Sequence, residues 1–327
     1  MALPTRNDVI IRGALQNVSI MYRNASFIGS QVFPTITGLN SRTQILKYAK
    51  GPWFRLEAAL RAEGTVAERG SYSVSTTNID PKQVSIGKAV TDELVRSSSE
   101  PGNLPLQPIT EAIEYCANQI DLYNEKLIAD AIFAQTWADG VAHGTDMHGA
   151  WATQTTASTL ISDIRAGKSA VQAATGLEPN TLLMDYATWV KILDNALILD
   201  RIKYSQAGVT TEQIVAMVLG LDRVLVGKAL INSAKEHNSE ATFTPKQLWE
   251  YNTGKGSAFL YYTPASAGLR TPAAGYKYQM NIDGAAREVR SYREDDHRQV
   301  VYEVTEESQI SCLGLDLGYL YKDCVSD

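Results

Sequence analysis

Hydrophobic and polar positions change their spacing several times along this chain, and each change marks an element. Between residues 105 and 139, Ile109, Ile113, Cys116, Ile120, Tyr123, Leu127, Ala131 and Ala134 recur at steps of three and four. That is a helical period, and Pro108 suits the first turn. The pattern predicts a helix of about 28 residues, about 42 Å long at 1.5 Å per residue. Leu122, Ile128, Ile132 and Phe133 widen the apolar surface beyond a coiled-coil seam. A long helix lying across a sheet is therefore predicted.

A second unit runs from Glu178 to Leu230 and reads strand, helix, helix, strand. Thr181–Met184 forms the first strand, and Asp185 stands where a helix N-cap belongs. Trp189, Ile192, Leu193, Ala196 and Leu197 follow at helical spacing. Thr210 with Gln213 fits a capping box for the next helix. Ile214, Met217, Val218 and Leu221 supply its apolar stripe, and Gly220 its stop. Val224–Val226 is the closing strand. Two short apolar strands with helices between them predict a parallel pair joined by a crossover.

Elsewhere the period is two or absent. Val84, Ile86, Lys88 and Val90 alternate with Ser85, Gly87 and Ala89. With Ser71–Thr77 before them and the turn chemistry of Asn78-Ile79-Asp80-Pro81, they predict a long polar β-hairpin. A helix is expected from about Ser158 to Thr175, stopped by Gly176. From Leu248 onward β formers dominate, as in Ala258–Tyr262, Tyr276–Tyr278 and Gln299–Val304.

Composition narrows the class. The 327 residues are 44% hydrophobic and 20% charged, ordinary for a globular chain, and no run of about 18 apolar residues suggests a membrane span. No basic-then-apolar signal peptide opens the sequence. Net charge is −6, unevenly spread: residues 1–61 carry eight Lys or Arg against Asp8 and Glu57, so the remainder is −12. An acidic body argues against a dedicated nucleic-acid binder. The basic leading segment could dock on acidic neighbours or touch phosphate. Cys116, Cys312 and Cys324 are odd in number and widely spaced, which points to buried thiols rather than a disulfide framework or zinc site.

Candidate chemistry is thin. Gly167-Lys168-Ser169 resembles the end of a nucleotide loop, but the earlier glycine of that motif is replaced by Ser162 and the string lies inside a helical stripe. His143, Asp146 and His148 share one glycine-rich loop and form a legitimate ligand set, though their spacing matches no helical zinc motif. A solvated, mobile loop is the plainer expectation. Arg293-Glu294-Asp295-Asp296-His297-Arg298 reads as a solvent-facing or intersubunit ion-pair cluster. No catalytic, cofactor-binding or metal-binding residue is assigned. Sixteen Tyr beside five Trp and six Phe suit surfaces that become interfaces.

The order of these elements resembles a major capsid protein of tailed bacteriophages. The residues that carry it are Thr181-Leu182-Leu183-Met184 with Trp189, Leu219-Gly220-Leu221-Asp222 leading into Val224-Leu225-Val226-Gly227, and the closing Gly314-Leu315-Asp316-Leu317-Gly318-Tyr319-Leu320. The resemblance implies an α+β fold of the Hong Kong 97 type. Its parts would be an N-terminal arm (1–36), an extended loop region (37–104), a spine helix and peripheral domain (105–157), an axial domain (158–247), and a C-terminal β region (248–327) completing both domains. It implies a non-enzymatic shell subunit without cofactors, forming pentamers and hexamers of an icosahedral head around double-stranded DNA contacted non-specifically. A separate scaffolding protein, a portal and a decoration protein are the implied partners, with no membrane. The location implied is the virion capsid, and the host cytoplasm before assembly. The polar connection from Arg201 to Thr211 would face the capsomer axis. Two alternatives compete: an encapsulin-like nanocompartment shell, and a soluble metal-dependent enzyme using the loop of His143 and His148.

Overall fold

Two five-stranded sheets and two two-stranded ribbons organise the described residues, and the C-terminal strands are divided between the two larger sheets. A computed structural model describes residues 24, 27–39, 43–98, 107–203, 211–234, 243–268, 270–282 and 285–325. Its first half contains α1 (Gly29–Val32), β1 (Thr35–Leu39), β2 (Thr43–Tyr48), α2 (Lys50–Phe54), β3 (Val74–Ile79), β4 (Lys82–Thr91), α3 (Asp92–Ser98), α4 (Pro108–Phe133) and β5 (Thr145–Asp146). There follow α5 (Leu160–Thr175), β6 (Thr181–Asp185), α6 (Tyr186–Leu193), α7 (Ala196–Ile202), α8 (Glu212–Leu219), β7 (Arg223–Gly227), β8 (Leu230–Asn232) and β9 (Pro245–Gln247). The last part holds β10 (Ser257–Tyr261), β11 (Tyr276–Met280), β12 (Glu288–Glu294), β13 (Gln299–Ser311) and β14 (Gly318–Lys322).

The first sheet is organised by β13. One edge of this 13-residue strand pairs with β4 from Gln299↔Thr91 to Ser308↔Lys82. Its other edge takes β12 and then β11, and β1 extends the sheet in parallel with β11. Helix α4 crosses this sheet, with Cys116 and Ile120 packed on Val304 and Ile86. The expected long helix is thus present over 26 residues. Its buried face differs from the expected stripe: Ala112, Cys116, Ile120, Asn124, Glu125, Ile128, Ala129 and Ile132 point inward, while Ile109 and Tyr123 are exposed. The reason is polar. Asn124 and Glu125 have buried partners, so hydrophobicity alone does not trace the face.

The second sheet has the order β5-β14-β10-β6-β7. As expected, β6 and β7 are parallel, in register from Thr181↔Arg223 to Asp185↔Gly227. Asp185 is fully buried and caps α6, accepting from the N–H of Ala187 at 2.8 Å and of Thr188 at 3.3 Å. It also accepts from the N–H of Ser257 at 2.9 Å, so one cap joins helix and β10. Burial pushes its carboxyl above the usual range against these donors. Among the described residues three helices, not two, lie between the strands. Buried Asn195 ends the first run by accepting from the N–H of Leu197 and starting α7. Thr211 rather than Thr210 caps α8; Thr210 lies outside the described residues. The inward face of α8 is Val215, Ala216 and Leu219, and Met217, expected inside, is 79% exposed.

The predicted hairpin is corrected. β3 pairs not with β4 but with β2, from Thr43↔Ile79 to Tyr48↔Val74. Asn78–Pro81 does turn the chain, but from one sheet into another. The extended excursion is therefore residues 49–73, closed at its base by β2 and β3.

Candidate assembly surfaces

Residues 49–73 carry apolar side chains with little to pack on. Leu56 and Leu60 are 90% and 106% exposed, and Trp53, Phe54, Val66 and Tyr72 are exposed as well. Tyr48, Trp53 and Tyr72 meet as an aromatic cluster at the base of the loop, with centroids 5.5–6.4 Å apart. The spacing of Trp53, Phe54, Leu56 and Leu60 assigns them to no regular element. The available signal was an apolar run with neither helical nor strand period, directly after Gly51-Pro52. Apolar area on this scale, without cover from the same chain, marks an interaction surface.

The start of α1 is fixed by a polar clamp. Glu125 of α4, 1% exposed, accepts from the N–H of Ile28 (3.1 Å), the N–H of Gly29 (2.6 Å) and the indole N–H of Trp249 (2.8 Å). Two of these donors open α1, whose N-terminal N–H groups lack helical partners. Burial pushes the Glu125 carboxyl above its usual range, opposed by the three donors. A larger network ties α4 to the sheet. Glu306 accepts from Lys277 Nζ at 2.6 Å, Arg287 Nε at 2.6 Å and Asn124 Nδ2 at 3.0 Å. Arg287 also pairs with Asp121. Burial raises the Glu306 carboxyl, but Lys277 and Arg287 outweigh it and hold the group below its usual value.

The predicted chemical strings resolve into packing. Gly167 sits mid-helix in α5, where an added Cβ would lie 2.0 Å from Tyr321 Oη. Lys168 donates to the carbonyl of Gly220, which ends α8 in the left-handed region at φ 64°. Burial pulls its ammonium below the ordinary lysine value. The loop of His143, Asp146 and His148 leaves both histidines exposed, as expected of a solvated loop, but its backbone is tied down. It runs beside the C-terminal strand, with N–H groups of Met147, Gly149 and Trp151 donating to Lys322, Asp323 and Cys324. Gly144, at φ 90°, leaves no room for a Cβ against Leu320. His143 Nδ1 is 2.8 Å from the Phe133 carbonyl and its ring stacks on Tyr251, beside a cleft of about 300 Å³. His148 Nδ1 lies 3.4 Å from Asp146 Oδ1. Among the described residues no three His, Cys, Asp or Glu are placed to hold a metal.

In the charged string, Arg293 grips Asp92 with two nitrogens, at 2.7 and 3.2 Å, and Asp295 with a third. The hydrogen bonds from Arg293 hold the Asp92 carboxyl below its usual range. The cluster therefore joins the β12–β13 turn to the start of α3 inside one chain. All three thiols are free; Cys116 and Cys324 are buried, and burial pushes Cys312 up to about 12. The Arg201–Thr211 connection falls largely on residues 204–210, outside those described.

No family model matches the sequence. A curated relative, the major capsid protein of Burkholderia phage BcepMu, is 24% identical over 324 residues, covering 95% of this chain and 95% of the relative. A phage-related protein from Bordetella bronchiseptica RB50 superposes with a TM-score of 0.67 at 21% identity, over 98% of both chains. The capsid structure of cyanophage P-SCSP1u matches with a TM-score of 0.59 at 12% identity, covering 94% of this chain and 90% of that one. The encapsulin of the holo-SrpI complex from Synechococcus elongatus PCC 7942 matches at 0.54 and 12% identity, covering 99% and 96%. Spine helix, two shared sheets, projecting loop and near-complete coverage of these relatives lead to one conclusion: the chain has the Hong Kong 97-type α+β capsid fold and is similar along almost its whole length to a phage major capsid protein.

Proposed function

We propose that this chain is the structural subunit of the icosahedral head shell of a tailed bacteriophage. The observation that carries the reading is the loop at 49–73, whose apolar side chains lie bare on a chain with a capsid fold. In a shell, neighbouring copies cover such a loop, and burial of several thousand Å² per subunit is the range of obligate interfaces. Many modest contacts closed into a shell make loss of one subunit costly. The role is structural rather than enzymatic, and the chain resides in the virion capsid.

The finer assignments follow from this reading. Residues 1–36 serve as the arm, 37–104 as the extended loop region and 105–157 as spine and peripheral domain. Residues 158–247 form the axial domain that gathers copies into pentamers and hexamers, and 248–327 complete both domains. A scaffolding protein, a portal and a decoration protein are the expected partners, packaged double-stranded DNA the contents, and the host cytoplasm the place of assembly. The encapsulin-like reading shares the fold. The near full-length relative named a major capsid protein favours the phage head.

The test is assembly of the purified chain with and without a candidate scaffold, followed by light scattering and negative-stain imaging. Closed shells are the expected result. A chain that remains monomeric across salt and crowding conditions, scaffold included, overturns the reading. Particles formed in the producing cell discriminate further: DNA-filled heads support the phage reading, and small shells holding protein cargo support the compartment.

A further inference from the structure

The extended loop is exposed along its length, yet Lys50 at its root is anchored to the body by two bonds. Lys50 Nζ donates to the carbonyl of Ala174 at 2.7 Å and to Asp316 Oδ2 at 2.6 Å. Ala174 lies in the last turn of α5, where unpaired carbonyls and the helix dipole favour a cation. Asp316 sits in the short turn Leu315–Leu317, just before β14. One ammonium thus bridges two elements of the second sheet's layer from the root of a loop that belongs to neither. A second contact stands beside it: the Phe54 ring lies against Gly176, which ends α5 in the left-handed region at φ 74°. Beyond Phe54, the loop's hydrogen bonds and ion pairs among the described residues stay within the loop and its base. Thr65 binds Ala62, Arg55 pairs with Glu57, and the N–H of Ala49 closes on Ser73.

We infer that Lys50 is a releasable latch that fixes the direction of the extended loop on its own subunit. The loop base is only a two-stranded ribbon, and a lone pair of strands is marginal at setting an angle against a body. Lys50 and Asp316 are both about half exposed, so the ion pair is a weak, salt-screened one. A weak anchor leaves the loop free to be redirected by a neighbouring copy that covers it. A buried, strong anchor would hold it in one pose. That purpose rests on the shell-subunit reading; the latch itself does not, and it is tested on the unassembled chain.

The experiment measures spin-label distances between cysteines introduced at exposed Ala67, in the loop, and exposed Ser169, on α5. Cys116 and Cys324 are buried, and partly exposed Cys312 is replaced by Ser in every variant, so labelling selects the introduced pair. The chain is kept dilute and shown to be monomeric by light scattering, and circular dichroism confirms folding of each variant. The expected result is one narrow distance in the parent and in Lys50→Arg, and a broad distribution in Lys50→Met and Asp316→Asn. A distribution that stays narrow in Lys50→Met overturns the latch. Broadening in Lys50→Met but not in Asp316→Asn overturns the two-acceptor form and leaves the Ala174 carbonyl as the anchor. Failure of the parent to assemble into shells bears on the proposed function and leaves these distances unaffected.

Discussion

Glu125, in α4, accepts the indole N–H of Trp249 at 2.8 Å while holding the N–H groups of Ile28 and Gly29 at the start of α1. Trp249 in turn lies flat against Gly227, where any Cβ would stand 2.1 Å from the ring. The start of α1, helix α4 and Trp249 thus meet at one buried carboxylate, with the end of β7 behind the indole. Glu125→Ala leaves three buried donors without partners. At about 1–3 kcal/mol for a buried group left unsatisfied, a loss of at least ~3 kcal/mol in chemical denaturation is expected. An arm protease site near Ile28 that opens earlier than the body unfolds would confirm where the loss acts. The sign of its pH response also follows. Its folded value is raised, so the stability it contributes is full below the unfolded carboxylate value and declines as pH rises through the folded one.

The bare loop separates stability from assembly. Leu56 and Leu60 touch almost nothing in the isolated subunit. Changing both to Ser should move the denaturation midpoint by no more than a surface substitution does, about 0.5 kcal/mol or less. Shell yield by light scattering should fall steeply, since each buried leucine contributes about 1.5–3 kcal/mol on leaving water and the effect repeats at every subunit. Normal shells from the doubly substituted chain would remove the loop from the interface.

Gly167 and Tyr321 form a notch and its tenant. The Tyr321 hydroxyl reaches past Gly167 and donates to the carbonyl of Asp163 at 2.9 Å. Gly167→Ala places a methyl within 2.0 Å of that oxygen, and overpacking of this kind costs about 1–3 kcal/mol. Tyr321→Phe removes the oxygen and should relieve part of the cost. A double-mutant cycle by thermal melting should therefore give the pair a favourable coupling. Additive effects would mean that the helix shifts rather than clashes. Added ATP should move none of these melting points.

Much of this architecture was legible because it is local. Asp185 announced an N-cap and became one, Gly176 and Gly220 ended their helices, and the β6–β7 pair came from two apolar runs flanking helices. The misreadings share a cause. The turn at Asn78–Pro81 shows where the chain reverses, but β4 finds its partner in β13, over 200 residues away, and β3 finds its own across the loop in β2. Register between distant strands leaves no mark on either strand alone. Met217 was placed inside by its spacing, yet Val215, Ala216 and Leu219 took the core, because apolar residues surround α8 and tertiary contacts chose among them. Glu125 and Asn124 interrupt a hydrophobic stripe, and only their partners in Gly29, Trp249 and Glu306 explain why they face inward.

Glu306 gives the helix–sheet joint an acid limit. Its carboxylate is buried, yet Lys277, Arg287 and Asn124 satisfy it, and its folded value lies below the ordinary one despite burial. For a depressed carboxyl, the stability contributed is present above the unfolded value and lost as pH falls through the folded one. The chain should therefore lose stability progressively below about pH 4.5, the ordinary glutamate region, opposite in sign to the Glu125 response. Glu306→Gln should flatten that acid loss while lowering stability at neutral pH by about 3–5 kcal/mol, the cost of breaking one side of a buried charge network. Glu306→Leu with Lys277→Met and Arg287→Met tests whether these three charges are needed, since apolar replacement of a buried ion pair or triad is often neutral or stabilising. Denaturation midpoints from pH 3 to pH 7, compared across parent, single and triple variants, check this ordering. A parent whose acid loss persists unchanged in Glu306→Gln would place the sensitive carboxyl elsewhere.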